Sequence, residues 1–121
     1  MQKHILTIDD EAEIRDLLAQ FLTASGYRVT AAGSAAEARK TAQSDPPDLI
    51  ITDLQLEDSD GLKLVEQLHT LRPDTPVILL TGVLFDPNVV EKTISTKVAA
   101  YVAKTSSLKH LLHEVQRLVG T

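Results

Sequence analysis

Short apolar runs alternate with longer amphipathic ones along the chain, and this alternation constrains the fold more than any other feature. The first short run is Ile5-Leu6-Thr7-Ile8; Ile14, Leu17, Leu18, Phe21 and Leu22 then follow at helical spacings. Gly26 is placed to stop that helix, because glycine tolerates a left-handed cap. Arg28 to Ala31 reads as a weak second strand, and Ser34 with Glu37 forms a capping box for a helix through about Gln43. Pro46-Pro47 ends it, and Asp48 to Thr52 reads as a buried strand. An acidic loop from Asp53 to Gly61 leads to a third helix marked by Leu64, Val65, Leu68 and Leu71. Val77 to Leu80 is the strongest strand signal; a poorer helix around Val89 to Ser95 follows, then a short strand at Ala100 to Val102. Leu108, Leu111, Leu112, Val115, Leu118 and Val119 make one stripe on a last helix. Five strands alternating with five helices predict an α/β sandwich, with a parallel sheet covered on both faces.

Composition narrows the function classes. The 121 residues suit a single domain, 1–121, with no effector domain in this chain. There are no cysteines, which excludes a disulfide framework and a thiolate nucleophile and fits a cytoplasmic setting. A net charge of −5 disfavours direct nucleic-acid binding by this domain. The longest apolar run, Val98 to Ala103, is far short of the roughly twenty residues a membrane span requires.

Ligands of open parallel sheets bind outside the carboxyl ends of the strands, so the residues just after each strand carry the functional signal. Asp9 and Asp10 follow the first strand, Asp53 the third, Thr81-Gly82 the fourth and Lys104 the fifth. Singly, each has a plain structural explanation: a helix N-terminus, a loop acid, a turn, a solvated cation. In a parallel sheet they converge. Carboxylates packed together repel unless a cation joins them, and an all-oxygen set suits Mg²⁺ rather than zinc or copper. A dication beside a free carboxylate, a hydroxyl and an ammonium is a place for phosphoryl transfer. Glycine-rich nucleotide motifs are missing from the sequence. The four histidines offer no competing site: His110 and His113 lie opposite the leucine stripe, His4 starts a strand and His69 lies in the third helix.

The constellation resembles the receiver domain of two-component response regulators over essentially the whole chain. Its carriers are Asp9-Asp10, Asp53-Leu54 with Gly61 eight residues on, Thr81-Gly82, and Tyr101 three residues before Lys104. The resemblance implies a flavodoxin-like, doubly wound sandwich with strand order 2-1-3-4-5. It implies Asp53 as phosphoacceptor, served by a sensor histidine kinase or a histidine phosphotransfer protein. It further implies Mg²⁺, with Mn²⁺ as a substitute, on Asp10, Asp53 and the Gln55 backbone carbonyl, with Asp9 acting mainly through water. Lys104 and Thr81 would contact the phosphoryl group, and Thr81 with Tyr101 would form the switch pair. Output would pass through the face of the fourth helix, fifth strand and last helix, to a downstream protein, a missing effector domain or a homodimer partner.

Four features depart from the family pattern. Thr105 stands where proline with a cis bond is usual, which predicts a trans or strained bond, since a cis bond before a non-proline costs about 3–4 kcal/mol. Glu57 replaces a common proline, Lys97-Val98 a small pair, and Thr81 and Lys104 lie 23 apart, one residue more than the usual pattern, with the extra residue expected in the loop Val83 to Pro87 or in the fourth helix. These departures keep open an alternative: a non-phosphorylated pseudo-receiver that acts as a protein-interaction module. A hydrolase using an aspartyl phosphate is disfavoured, because no general acid stands beside Asp53 in the sequence.

Overall fold

The computed structural model describes residues 2–53, 61–82, 97–104 and 106–120. The elements in chain order are β1 (His4–Ile8), α1 (Ala12–Ala24), β2 (Arg28–Ala32), α2 (Ala35–Ser44), β3 (Leu49–Asp53), α3 (Gly61–Leu71), β4 (Val77–Thr81), β5 (Ala100–Ala103) and α4 (Leu108–Val119). The expected helix around Val89 to Ser95 falls outside the described residues, as do Leu54, Gln55, Glu57 and the bond before Thr105.

All strand pairs are parallel and the order is β2-β1-β3-β4-β5, as the resemblance implies. Side chains alternate across a strand, so each strand contributes to two cores. Leu6, Ile8, Ile50, Val77 and Leu79 pack beneath α2 and α3 with Ala35, Ala38, Ala42, Leu64, Val65 and Leu68. Ile5, Leu49, Ile51, Ile78, Leu80 and Val102 face α1 and α4, meeting Leu18, Leu22, Leu111 and Val115. The alanine row lets α2 lie close to the sheet. β1, β3 and β4, buried along their whole length, read as near-continuous apolar runs for this reason.

Local signals act largely as the sequence suggests. Ser34 caps α2 by accepting from the Glu37 amide at 3.2 Å, while the Glu37 carboxylate reaches back to the Gly33 amide, one residue beyond the usual capping-box partner. His110 and His113 are exposed. Leu17 differs: it belongs to the apolar stripe of α1 yet is 48 % exposed, and it lines a cleft with Ile14, Leu108 and Leu111. His4 also gains a role that its position at a strand start does not suggest. It is buried, with Nε2 2.8 Å from Thr30 Oγ1 and Nδ1 3.4 Å from the Pro46 carbonyl, and it pins the α2–β3 connection to the sheet. Tyr27, also buried, donates to the Gly120 carbonyl at 2.6 Å and ties the chain's last turn to β2.

Gly26 has φ +103°, and a Cβ built there would meet nothing within 4 Å. The cost of a side chain is therefore conformational rather than steric. Gly26→Ala is expected to lose roughly 1–2 kcal/mol in urea denaturation, with an unchanged m-value; an unaffected midpoint would show that the turn does not need this conformation.

Candidate functional site

The ladder continues past the formal strand ends, and this continuation builds the site. Asp9 donates its amide to the Ala32 carbonyl at 3.1 Å, and Lys104 donates its amide to the Thr81 carbonyl at 2.9 Å. By strand alternation, Asp9, Asp53 and Lys104 continue the rows of Ile5, Ile51 and Val102, on the α1/α4 side of the sheet. Thr81 and Tyr101 fall in the opposite rows, with Leu79, against the α2/α3 core. The expected residues thus divide into an ionic group on one face and a hydroxyl and ring on the other.

The ionic group is tight. Lys104 Nζ donates to Asp53 Oδ2 at 2.9 Å and to Glu11 Oε1 at 3.3 Å. It also lies 3.3 Å from Asp9 Oδ2, but out of line for a hydrogen bond. Asp9 is wholly buried and Asp53 nearly so, whereas Asp10 is half-buried and Glu11 exposed. One oxygen from each of these four carboxylates lies within 4.8 Å of the others. Arg15 steadies the turn by donating to the Asp9 carbonyl at 2.8 Å, and its guanidinium lies against Gly33, where a Cβ would meet Nη1 at 3.0 Å. Thr81, buried at the end of β4, is one register step beyond the Asp53–Leu80 pair. Gln55 lies outside the described residues.

Glu11 is a member of the group that the sequence reading did not single out. It occupies the N-cap of α1 but makes no side-chain cap, at a position where a short capping side chain is worth about 1 kcal/mol. Its backbone amide instead donates to Asp9 Oδ1 at 2.9 Å while its carboxylate reaches Lys104. A glutamate at a cap position was the available signal.

The electrostatics follow from burial and crowding. Burial pushes the Asp9 carboxyl above the ordinary aspartate range, and the Asp53 charge adds to this; the Glu11 amide and Lys104 only partly offset them. Burial works against the Lys104 ammonium, but the hydrogen bond to Asp53 and the charges of Asp9 and Asp53 outweigh it, so its pKa is raised. Asp9 Oδ2 has no hydrogen-bond donor among the described residues. A buried carboxylate oxygen left in this way, within an all-oxygen cluster richer in carboxylates than in ammonium groups, suits a small hard dication such as Mg²⁺.

The raised groups act on stability in opposite directions. A folded state that holds the Asp9 proton more tightly than the unfolded chain loses stability as pH rises through the carboxylate range. Lys104 contributes stability that is present at neutral pH and is lost only as pH climbs beyond the ordinary lysine value. Asp9→Asn keeps an acceptor for the Glu11 amide and removes the buried charge. In metal-free buffer it is expected to be more stable than the parent at pH 7, with the gap closing as pH falls through the carboxylate range. Urea midpoints across a pH series test this; a less stable variant at pH 7 would show that the ion pair with Lys104 outweighs the burial of Asp9.

Comparison with known proteins agrees with this fold. The sequence profile of the response regulator receiver domain matches residues 5–116. The regulatory protein VirG of Agrobacterium fabrum is 29 % identical over 116 residues, which cover 94 % of this chain and 45 % of VirG. The alkaline phosphatase synthesis transcriptional regulatory protein PhoP of Bacillus subtilis is 41 % identical over 82 residues, covering 68 % of this chain and 34 % of PhoP. The chain therefore spans less than half the length of these relatives. Among solved structures, a CheY-like receiver domain protein from Methanospirillum hungatei superposes with a TM-score of 0.84 at 29 % identity, covering 97 % of this chain and 93 % of that one. The NtrX receiver domain from Brucella abortus gives 0.86 at 27 % identity, covering 97 % and 98 %. Profile, relatives and fold agree, and the chain belongs to the response regulator receiver domain family.

Proposed function

We propose that this domain is a phosphorylation-controlled switch in which Asp53 takes a phosphoryl group from a phosphohistidine. The donor is a sensor histidine kinase or a histidine phosphotransfer protein. The observation that carries this reading is the Lys104 ammonium held 2.9 Å from Asp53 Oδ2, within a cluster of four carboxylates. Family membership makes the chain a signalling domain; the chemistry at Asp53 is our inference from these contacts.

An oxygen of Asp53 attacks phosphorus as the donor's phosphorus–nitrogen bond breaks. The imidazole leaves with the electron pair of that bond and takes a proton from solvent. Lys104, already in contact with Asp53, stays with the transferred group and offsets its charge. Asp10, Asp53 and the Gln55 backbone carbonyl would hold Mg²⁺ or Mn²⁺, with Asp9 acting mainly through water. When bound, the dication neutralises phosphoryl oxygens that the carboxylates would otherwise repel. Asp9 is the most buried of the four carboxylates.

Thr81 and Tyr101 form the switch in this reading. The Thr81 hydroxyl turns toward a phosphoryl oxygen, and the Tyr101 ring, packed against the α2/α3 core, moves into the space released. The signal then leaves through the face that includes β5 and α4. Its receiver is a downstream protein, an effector domain or a second copy of the chain. The domain modifies itself and does not turn over a metabolite. Among the described residues no helix is long and apolar enough to cross a membrane, and we place the domain in the cytoplasm with its kinase.

Incubation with acetyl phosphate and Mg²⁺ should add one phosphoryl group to the parent, seen by intact-protein mass spectrometry. Asp53→Asn should reduce labelling to background, as should chelation of the metal. Undiminished labelling of Asp53→Asn would refute the assignment, and an unlabelled parent that also fails to bind millimolar Mg²⁺ would favour the pseudo-receiver.

A further inference from the structure

Glu11 breaks a local rule without local compensation, and such positions tend to be functional. Ser, Thr, Asp or Asn at the N-cap of α1 would bond a first-turn amide; Glu11 bonds none with its side chain. Its carboxylate instead meets Lys104, a residue 93 positions away in the chain. The Glu11 side chain is 62 % exposed, against 23 % for Lys104 and 10 % for Asp53. The ammonium thus bridges an inner acceptor, Asp53 Oδ2 at 2.9 Å, and an outer one, Glu11 Oε1 at 3.3 Å.

An ammonium has three N–H donors and no more. At rest two are committed to Asp53 and Glu11, and Asp9 draws on the same charge from 3.3 Å. A phosphoryl group on Asp53 brings further anionic oxygens to this one cation. We propose that Glu11 is a positioning residue that holds Lys104 in its resting place and competes with the phosphoryl group for the ammonium. It acts through Lys104, not on the reacting atoms. Because it is largely exposed, its carboxylate can return to water at little cost, so the anchor is weak and reversible. Glu11 thereby biases the domain toward its unmodified state. This inference rests on the reading of Asp53 as phosphoacceptor.

Beryllofluoride, which mimics a phosphoryl group on a carboxylate, separates the two ideas. It is titrated at saturating Mg²⁺ into the parent, Glu11→Gln and Glu11→Asp, with binding followed by ¹⁹F NMR and folding checked by thermal melts. Glu11→Gln should bind the mimic about two- to fivefold more tightly, the range that an exposed ion pair spans. Glu11→Asp keeps the charge but is too short to hold Lys104 in the same way and is a good N-cap, so it should resemble Glu11→Gln. A Glu11→Asp protein that behaves like the parent would assign the effect to charge alone and overturn the proposal. So would unchanged or weaker binding by Glu11→Gln. A loss of Mg²⁺ affinity beyond about tenfold in Glu11→Gln would make Glu11 a participant in the metal site and overturn it as well. A parent that binds no beryllofluoride would defeat the phosphoacceptor reading together with this one, whereas a binding parent with an indifferent Glu11→Gln defeats only the latter.

Discussion

Like charge is concentrated at one edge of this molecule, and the ammonium of Lys104 keeps that concentration compatible with a folded domain. It bonds the carboxylates of Asp53 and Glu11 and sits beside that of Asp9. Asp9 shows how incomplete the compensation is: wholly buried, it is pushed above its ordinary range despite the lysine. Removing one partner from a buried ion pair exposes the full cost of burying the other. The arrangement is thus poised toward any cation or anion that redistributes charge at this edge.

The scaffold makes such an arrangement tolerable. Two apolar cores, one on each face of a five-stranded parallel sheet, fix the positions of the strand ends. Asp9, Asp53 and Lys104 occupy the last positions of mostly apolar rows, with Thr7 between Ile5 and Asp9 as a polar exception, so the charge lies where apolar packing ends. Natural proteins commonly accept destabilising groups where function needs them, and the role proposed for Asp9 would place it in that class. Glu11 is a milder case, giving up a helix cap to reach across the pocket.

The division of residues between the two faces of the sheet also bears on signalling. The ionic group shares a face with α1 and α4, whereas Thr81 and Tyr101 sit in rows that meet α2 and α3. Under the proposed reading of Asp53 as phosphoacceptor, the residues that would respond to it therefore lie on both faces of the sheet. Closely packed interiors respond by discrete rearrangement rather than gradual deformation, which suits a two-state response.

Much of this was legible in the residues because the relevant forces are local. Aliphatic runs, the Ser34 cap and Gly26 set the element order, and the residue following each strand marked the edge to inspect; the family followed from their order and spacing. Tertiary structure decided what local forces do not reach. Asp9, Asp10 and Glu11 are adjacent in sequence, yet one is buried, one half-buried and one exposed, because only the first continues the ladder beside Ala32. Leu17 fits its helical stripe but stays exposed, and His4 is buried through partners at positions 30 and 46. The Glu11–Lys104 bond spans 93 positions, and no periodicity carries information over that distance. Periodicity reports which face a side chain takes on its own element. Strand register, which brings distant elements side by side, decides what that side chain meets.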